Sequence, residues 1–266
     1  MIAVTEGLRK SVEDVGAQVL GLVRGLGLFT EFAGRVFFWW AKPPMRVKLL
    51  FDQVYFIGNK SLFIIGLTSM FSGAVFALQM YLGIKAINMD SIVGPIVAIS
   101  LAKELAPVFA GLVVAGRCGS AMAAQIGSMK VTEQLDALEV MGINAHQYLA
   151  VPRVVGAMLS MPMLCAVFLL VGNFGSWLVG VKVLGIDEVM YFQKLSDFMK
   201  IAHILEGLIK SAVFGFLIGL IGTYHGFNVS GGAEGVGRGT NLAVVWGMVT
   251  VLVSDYFISS FLAHIL

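Results

Sequence analysis

Long apolar stretches separated by short polar ones dominate the chain. A helix needs about 20 apolar residues to cross a hydrocarbon core about 30 Å thick. Three candidate stretches carry no charge, the second contains Lys103 and Glu104, and the last contains Asp255 and His264. The pattern predicts an all-α integral membrane protein with five transmembrane helices at Ser61–Ile84, Ser91–Gly116, Val154–Val181, Ser211–Ala233 and Gly239–Leu266.

The stretch Ala17–Ala41 has a different pattern. It is rich in apolar residues but is interrupted by Arg24, Glu31 and Arg35, and it ends in the aromatic run 37–40. Charges along an apolar helix with tryptophan at one end are typical of a helix that lies in the membrane interface. We therefore predict an N-terminal amphipathic interfacial helix, with a sixth span as the alternative. A single domain 1–266 then consists of an interfacial region 1–50 and a transmembrane core 51–266.

Basic residues indicate the orientation of the chain. Lysine and arginine collect in cytoplasmic loops, and residues up to Lys60 include Arg9, Lys10, Arg24, Arg35, Lys42, Arg46 and Lys48. This bias places the N-terminus in the cytoplasm, and five spans then place the C-terminus outside. The later loops show no comparable bias, with Lys210 counted in the outer loop before the fourth span.

The predicted cytoplasmic loop Arg117–Arg153 contains a helical pattern at about 128–142. The helix is expected to run from Ser128 to Met141, with Gly142 as its stop signal. Its apolar positions Val131, Leu135, Leu138 and Met141 recur at helical spacing, while Glu133, Asp136 and Glu139 fall on another face. A short amphipathic helix on the cytoplasmic side can be a docking surface for a soluble partner or a solvated loop helix.

Composition narrows the class of protein further. Hydrophobic residues make up 58% of the 266 residues and charged residues only 13%, with a mean hydropathy of +0.88. Soluble domains carry about 25% charged residues, so lipid is the expected solvent. The net charge of +2 and the lack of a basic stripe argue against nucleic acid as a partner. Cys118 and Cys165 have neither a disulfide framework nor metal-ligand spacing.

Catalytic and nucleotide-binding motifs are missing from the sequence. The four histidines are scattered, and no nucleophile–base or zinc-binding motif occurs. The glycine-rich stretch Gly232–Gly237 is followed by Arg238–Gly239 rather than by the Lys-Ser/Thr of a phosphate loop. We therefore expect no enzyme activity, no bound metal and no directly bound cofactor, and any active transport requires a separate ATPase.

Lys103 and Glu104 are the most informative charges in the predicted spans. They lie about 18 Å into the second span, near the middle of the membrane, where ionisable residues usually mark functional sites. Gln79 and Tyr81 at the end of the first span could line the same vestibule. The alternatives are a structural ion pair for the charges and interfacial anchoring for Gln79 and Tyr81. Asp255 is compatible with helix packing or with a subunit contact.

Several motifs resemble those of one permease family. Ala115–Ala121 reads AGRCGSA, and Gln125–Gly142 reads QIGSMKVTEQLDALEVMG. Lys103–Pro107 reads KELAP, and Val151–Arg153 and Met161–Pro162 follow in the third span. From about residue 50 onward the chain is similar to the MlaE/YrbE family of ABC transporter permeases.

This resemblance implies a homodimeric permease in a bacterial inner membrane. It implies three protein partners: a cytoplasmic ABC ATPase, a STAS-domain protein and a hexameric MCE-domain carrier in the periplasm. The complex would move phospholipid between the inner membrane and that carrier and maintain outer-membrane lipid asymmetry. The resemblance places the lipid-binding cavity near Gln79, Tyr81, Lys103 and Glu104. It places coupling to the ATPase at Lys130, Thr132, Glu133, Gln134, Asp136 and Glu139.

Two other classes of function remain as rivals. A secondary transporter or channel for another amphipathic substrate predicts an internal repeat and broken helices with coupling-ion ligands, and no convincing repeat is visible in the sequence. An intramembrane enzyme acting on lipid would need a nucleophile and a base, and the sequence offers no such pair. An ABC-type phospholipid permease is therefore the function that the sequence favours.

Overall fold

The computed structural model describes residues 2–43, 46–85, 89–262 and 264, and these are helical with short connections. The chain divides into two compact units, residues 1–45 and residues 46–266. The first unit contains the helix α1, Ile2–Trp40, in which Glu31 and Arg35 form an exposed i,i+4 ion pair of 2.6 Å. Leu20, Val23 and Phe37 are more than half exposed on this helix. Its position in the interface stays a prediction.

Five helices of the second unit are long and apolar enough to cross a membrane, so the predicted number of spans is confirmed for the described residues. They are α2 (Val47–Ile84), α3 (Asp90–Val131), α5 (His146–Val183), α7 (Ile201–Phe227) and α8 (Gly232–Leu262). Two short helices lie between spans: α4 (Gln134–Val140) and α6 (Glu188–Phe198). Successive spans cross in opposite directions, so α4 and α6 lie at opposite ends of the bundle.

Small residues bring the spans close together. Helix α2 packs along α5, α5 packs along α7, and α7 contacts both α3 and α8. A Cβ atom on Gly175 would overlap the carbonyl oxygen of Met70, and one on Gly73 would overlap that of Gly172. Glycine at such crossings lets backbones approach closely, which is how helices gain packing contacts inside a membrane.

Several spans begin earlier than the hydropathy pattern predicted. Helix α2 begins at Val47 rather than Ser61, and α7 begins at Ile201 rather than Ser211. The prediction that Lys210 lies in an outer loop is wrong, because its side chain is completely buried within α7. An uncharged stretch ends at the first charged residue, even when that side chain has a partner inside the bundle, as Lys210 does.

The helix predicted at about 128–142 is two helices in the structure. Helix α3 continues to Val131, the chain turns at Thr132 and Glu133, and α4 starts at Gln134. The Thr132 hydroxyl donates to the carbonyl oxygen of Ser128 at 2.9 Å, and Glu133 adopts a left-handed conformation with φ of 59°. The helix ends here because a residue in the left-handed conformation cannot continue a right-handed helix.

Helix α6 packs on α3 at the opposite end of the bundle. Its buried residue is Tyr191, whose hydroxyl lies 3.1 Å from the Ser176 hydroxyl. Burial raises the pKa of the Tyr191 phenol, and the bond to Ser176 offsets part of that rise. A Cβ atom on Gly94 would lie 2.6 Å from the tyrosine ring, so glycine is needed for α6 to sit this close.

Candidate functional site

A completely buried lysine lies at the meeting point of three spans. The Nζ atom of Lys210 in α7 donates to Oε1 of Glu104 at 2.9 Å and to the carbonyl oxygen of Lys103 at 2.8 Å, both in α3. It also donates to Oγ of Ser259 in α8 at 2.7 Å. An ammonium group has three donors, so each N–H of Lys210 has an acceptor.

The carbonyl oxygen of Lys103 is free to accept this bond because of Pro107. Proline has no N–H, so the carbonyl four residues earlier loses its α-helical partner. The stretch Leu101–Leu105 is a π-helix, in which the N–H of Ala106 bonds to the carbonyl oxygen of Leu101. Single π-turns inside α-helices often occur at functional sites. The KELAP motif thus supplies both a carboxylate and a backbone carbonyl without its α-helical donor to Lys210.

Gly207 lets α7 reach this part of α3. A Cβ atom there would overlap the carbonyl oxygen of Ala102. Glu206 and Lys210 flank Gly207 on the same stretch of α7, so the close crossing also carries their side chains to Lys103 and Glu104. The position of the ion pairs depends on this one glycine.

Three carboxylates and two lysines form a continuous network here. The Nζ atom of Lys103 lies 3.1 Å from Oε2 of Glu206, and that of Lys210 lies 3.8 Å from Glu206 Oε1 and 3.5 Å from Asp255 Oδ1. We call this set the charged cluster: Lys103, Glu104, Glu206, Lys210, Asp255 and Ser259. With all five ionisable groups charged, it carries one more negative than positive charge.

The charged cluster lies inside the hydrocarbon region and opens to one side. At 1.5 Å per residue, its five ionisable residues lie within about 12 Å of the middle of their helices, against a half-thickness of about 15 Å. All lie in the half of the membrane nearer α6. Lys210 and Glu206 are buried, but the side chains of Lys103 and Glu104 remain 35% and 45% exposed. Those two charges can therefore meet a further polar group.

Two of the four predicted lipid-site residues lie in the charged cluster, and the other two lie outside it. Lys103 and Glu104 belong to the charged cluster, and each forms the ion pair that the sequence left as an alternative. Gln79 is exposed, and Tyr81 is half-buried with the Lys85 ammonium 5.5 Å from its ring centre. Among the described residues, no hydrogen bond or ion pair joins Gln79 or Tyr81 to the cluster.

Glu206, Lys210 and Ser259 are functional candidates that the sequence reasoning missed. Glu206 and Lys210 are spaced i,i+4, so they lie on one helical face and present an anion and a cation to the same neighbour. Lys103–Glu104 offers the complementary pair on α3. The complementary charges are the signal in the sequence for the ion pairs between α3 and α7, provided that the fourth span begins near Ile201.

The predicted coupling residues are exposed at the other end of the bundle: Lys130, Thr132, Glu133, Gln134, Asp136 and Glu139. Leu135 holds α4 in place by packing with Ile126, Ala145 and Leu149. The Nζ atom of Lys130 donates to the carbonyl oxygen of Phe227, the last residue of α7, at 2.6 Å. The acidic face of α4 is thereby left open, beside Val140, which is 90% exposed.

The described residues contain no group of three or more histidine, cysteine, aspartate or glutamate side chains placed to hold a metal ion. The carboxylates of the charged cluster surround a lysine instead. The arrangement is therefore built from ion pairs within the chain.

Similarity to known proteins extends over nearly the whole chain. The family model of Permease MlaE matches residues 50–261. A probable ABC transporter permease protein of Rickettsia typhi is 38% identical over 93% of this chain and 96% of its own length. The intermembrane phospholipid transport system permease protein MlaE of Haemophilus influenzae is 34% identical over 94% and 96%. The chloroplastic protein trigalactosyldiacylglycerol 1 of Arabidopsis thaliana is 35% identical over 90% and 68%.

These matches agree with the architecture of the second unit. The family match spans the five transmembrane helices, begins after α1, and includes both the charged cluster and α4. The resemblance seen in the sequence motifs is confirmed. The chain is a multi-pass membrane protein and a permease subunit, with ATP hydrolysis assigned to a separate subunit, and it belongs to the MlaE family of ABC transporter permeases.

Proposed function

We propose that this permease moves phospholipids between the inner membrane and a periplasmic MCE-domain carrier and so maintains outer-membrane lipid asymmetry. It works as a homodimer with a cytoplasmic ABC ATPase and a STAS-domain protein, and the carrier is hexameric. ATP binds to the partner ATPase, and this chain holds no cofactor. The similarity to the Haemophilus influenzae permease of intermembrane phospholipid transport supports the substrate class.

The charged cluster is the observation that carries the proposal. Charges at this depth are tolerated when they are paired or face a polar cavity. Lys210 is saturated by its own chain, but Lys103 and Glu104 keep an open side. A zwitterionic phospholipid head group offers charges complementary to both, and an anionic head group offers one complementary to Lys103. The acyl chains of either lipid suit apolar helices.

The lipid-binding cavity is proposed at the dimer interior, with Gln79 and Tyr81 at its outer rim. Two acyl chains require a wide apolar wall, and α2 exposes large apolar side chains such as Phe63, Phe71 and Val75. A second copy of the chain would cover such a surface and close the cavity. The head group would then lie beside Lys103 and Glu104.

Coupling to the ATPase is proposed at α4. Its face presents Glu133, Asp136 and Glu139 with the exposed apolar Val140, which suits a groove with a basic rim and an apolar floor. Lys130 ties this segment to the end of α7, the helix that carries Lys210. Thr132 and Gln134 flank the turn into α4 and complete the contact surface.

The orientation follows from the site of coupling. The ATPase is cytoplasmic, so the end that carries α4 faces the cytoplasm, and the charged cluster lies in the periplasmic half of the inner membrane. The N-terminus is then cytoplasmic and the C-terminus periplasmic, in agreement with the basic residues before Lys60.

Site-specific photo-crosslinking in membranes tests the lipid site. A photoreactive residue at Tyr81, Lys103 or Glu104 is expected to capture labelled phospholipid more strongly than one at Tyr256, an outward control on α8 that is 72% exposed. Glu104→Gln should lower transport more than it lowers stability, and Lys103→Ala should weaken capture of the head group. Capture at Tyr256 with none at the three site positions would place the cavity elsewhere.

Reconstitution separates this function from its main rival. Co-expression with the ATPase should give a complex that transfers labelled phospholipid to the MCE-domain carrier only when ATP is hydrolysed. A catalytically inactive ATPase is the control. Transfer driven by an ion gradient in its absence would instead identify a secondary transporter or channel for an amphipathic substrate.

A further inference from the structure

A second polar site lies at the end of the bundle opposite the charged cluster. Arg153, near the start of α5, is only 9% exposed, and it lines a pocket of about 490 Å³ together with Ala124, Gln125, Ser128 and Met129 of α3. The pocket is open to the outside of the chain. Neither the lipid cavity nor the coupling surface includes Arg153.

The guanidinium of Arg153 forms no ion pair with any residue that the structure describes. Nη1 donates to the carbonyl oxygen of Leu149 at 2.9 Å, and Nη2 donates to Oε1 of Gln125 at 3.3 Å. Nε is buried without an acceptor, and across the described part of the chain no carboxylate oxygen lies within 4 Å. A buried charge without a partner is strongly unfavourable. Arg153 therefore favours an anion beside it.

The depth of the pocket indicates which anion it meets. Arg153 lies about 17 Å along α5 from the middle of that helix, and Gln125 lies about 22 Å from the middle of α3. The hydrocarbon boundary is about 15 Å from the midplane, and head groups occupy the next few ångströms. Both residues are thus at head-group depth, where phosphodiesters are the abundant anions.

The side chains around Arg153 suit a phosphate. Ser128 is exposed, its hydroxyl has no hydrogen bond within the described chain, and Gln125 offers an amide N–H₂ next to the guanidinium. Arginine with hydroxyl and amide donors is a common way to hold phosphate oxygens. Ala124 and Met129 provide an apolar side on which the glycerol and first methylenes of a lipid can rest.

We propose that the Arg153 pocket binds the phosphate group of a phospholipid in the leaflet on the α4 side of the membrane. The site is separate from the charged cluster, which lies in the other half of the bilayer. It lies where α3 leads into the α4 segment, so an occupied pocket would link α3 to α5 through a lipid head group. The inference does not depend on transport or on the ATPase.

Photo-capture in phosphate-free detergent tests the pocket with the full-length chain. Two tagged lipids with identical acyl chains, phosphatidylglycerol and diacylglycerol, are presented in dodecyl maltoside to a chain with a photoreactive residue at Met129. Phosphatidylglycerol should be captured about tenfold more than diacylglycerol, since a hydrogen-bonded charge contributes about 1.4 kcal/mol or more. Arg153→Gln should remove that preference, and Arg153→Lys should retain part of it.

A matched control distinguishes loss of the site from loss of the fold. Phe51 is 67% exposed and lies about 22 Å from the middle of α2 on the same membrane side. Capture at Phe51 should show no preference between the two lipids and should not change with Arg153→Gln. Ser128→Leu fills the pocket without touching Arg153 and should lower capture at Met129 alone.

Four results would overturn the proposal. One is equal capture of both lipids at Met129, and another is a preference that survives Arg153→Gln. The third is a cross-link from position 129 to a partner protein in place of the lipid, which would make the pocket a protein contact. The fourth is a photo-reaction at position 129 that inorganic phosphate lowers and phosphatidylglycerol does not. That result would show that the bound phosphate does not belong to a lipid.

Discussion

The Nζ atom of Lys210 lies 2.9 Å from Oε1 of Glu104, with the lysine side chain fully buried and the glutamate 45% exposed. The two residues come from different spans and are 106 positions apart in the chain. Lys210 is therefore held by its own protein, whereas Glu104 retains a free side. The pair combines a fixed interior cation with a carboxylate that can respond to a ligand.

Removing the buried cation should destabilise the bundle strongly. Lys210→Met would leave Glu104 and Asp255 without a cation, while Glu206 keeps its pair with Lys103. Breaking a buried ion pair costs about 3–5 kcal/mol. Reversible unfolding in mixed detergent–SDS micelles measures the change. Lys182→Met is the matched control, because its 2.9 Å pair with Glu188 is about half exposed on both sides and should contribute less than about 1 kcal/mol. Equal effects of the two substitutions would contradict this account of the cluster.

The close crossing at Gly207 gives a second prediction. Gly207→Ala should push α7 away from Ala102 and lower the free energy of unfolding by about 1–3 kcal/mol, as overpacking does. Gly66→Ala in α2 is the control, since nothing lies within 4 Å of a Cβ atom there. The same unfolding assay applies. A neutral Gly207→Ala would show that the crossing is looser than the structure indicates.

Charge reversal on α4 tests the coupling surface. Glu133→Lys combined with Asp136→Lys should abolish association with the ATPase, because like charges at a contact cost several kcal/mol. Both side chains are exposed, so the permease should still insert and elute normally. Co-purification and ATP-dependent lipid transfer are the readouts. Asp197→Lys, an exposed reversal on α6 at the opposite end, should leave both unchanged. Normal association in the double variant would remove α4 as the docking site.

Topology mapping tests the orientation. Five spans place the two termini on opposite sides, so an alkaline phosphatase fusion at the C-terminus should be active and a fluorescent fusion that folds only in the cytoplasm should be dark. A fusion at the N-terminus should give the reverse pattern. A cytoplasmic C-terminus would require one more crossing, and α1 is the helix that would supply it.

The number and order of the spans could be predicted from the chain alone. Each apolar stretch is long enough to cross the bilayer by itself, and backbone hydrogen bonds inside a membrane must be satisfied within the segment. The motif around Lys103–Pro107 and the acidic pattern at Glu133, Asp136 and Glu139 were also visible in the sequence, and their roles in lipid binding and coupling stay predictions. These features are local, because they depend on residues within one helix or one loop.

The tertiary structure decided which charges meet and where helices end. Lys210 was predicted to lie in a loop because a buried lysine is unfavourable until Glu104, the Lys103 carbonyl and Ser259 surround it, and these partners come from other helices. Gly207 permits that meeting only through its contact with Ala102. The turn at Glu133 likewise depends on Leu135 packing against Ile126 and Leu149. Only the fold decides which charged residues of distant segments form ion pairs, because hydropathy along one helix contains no information about its neighbours.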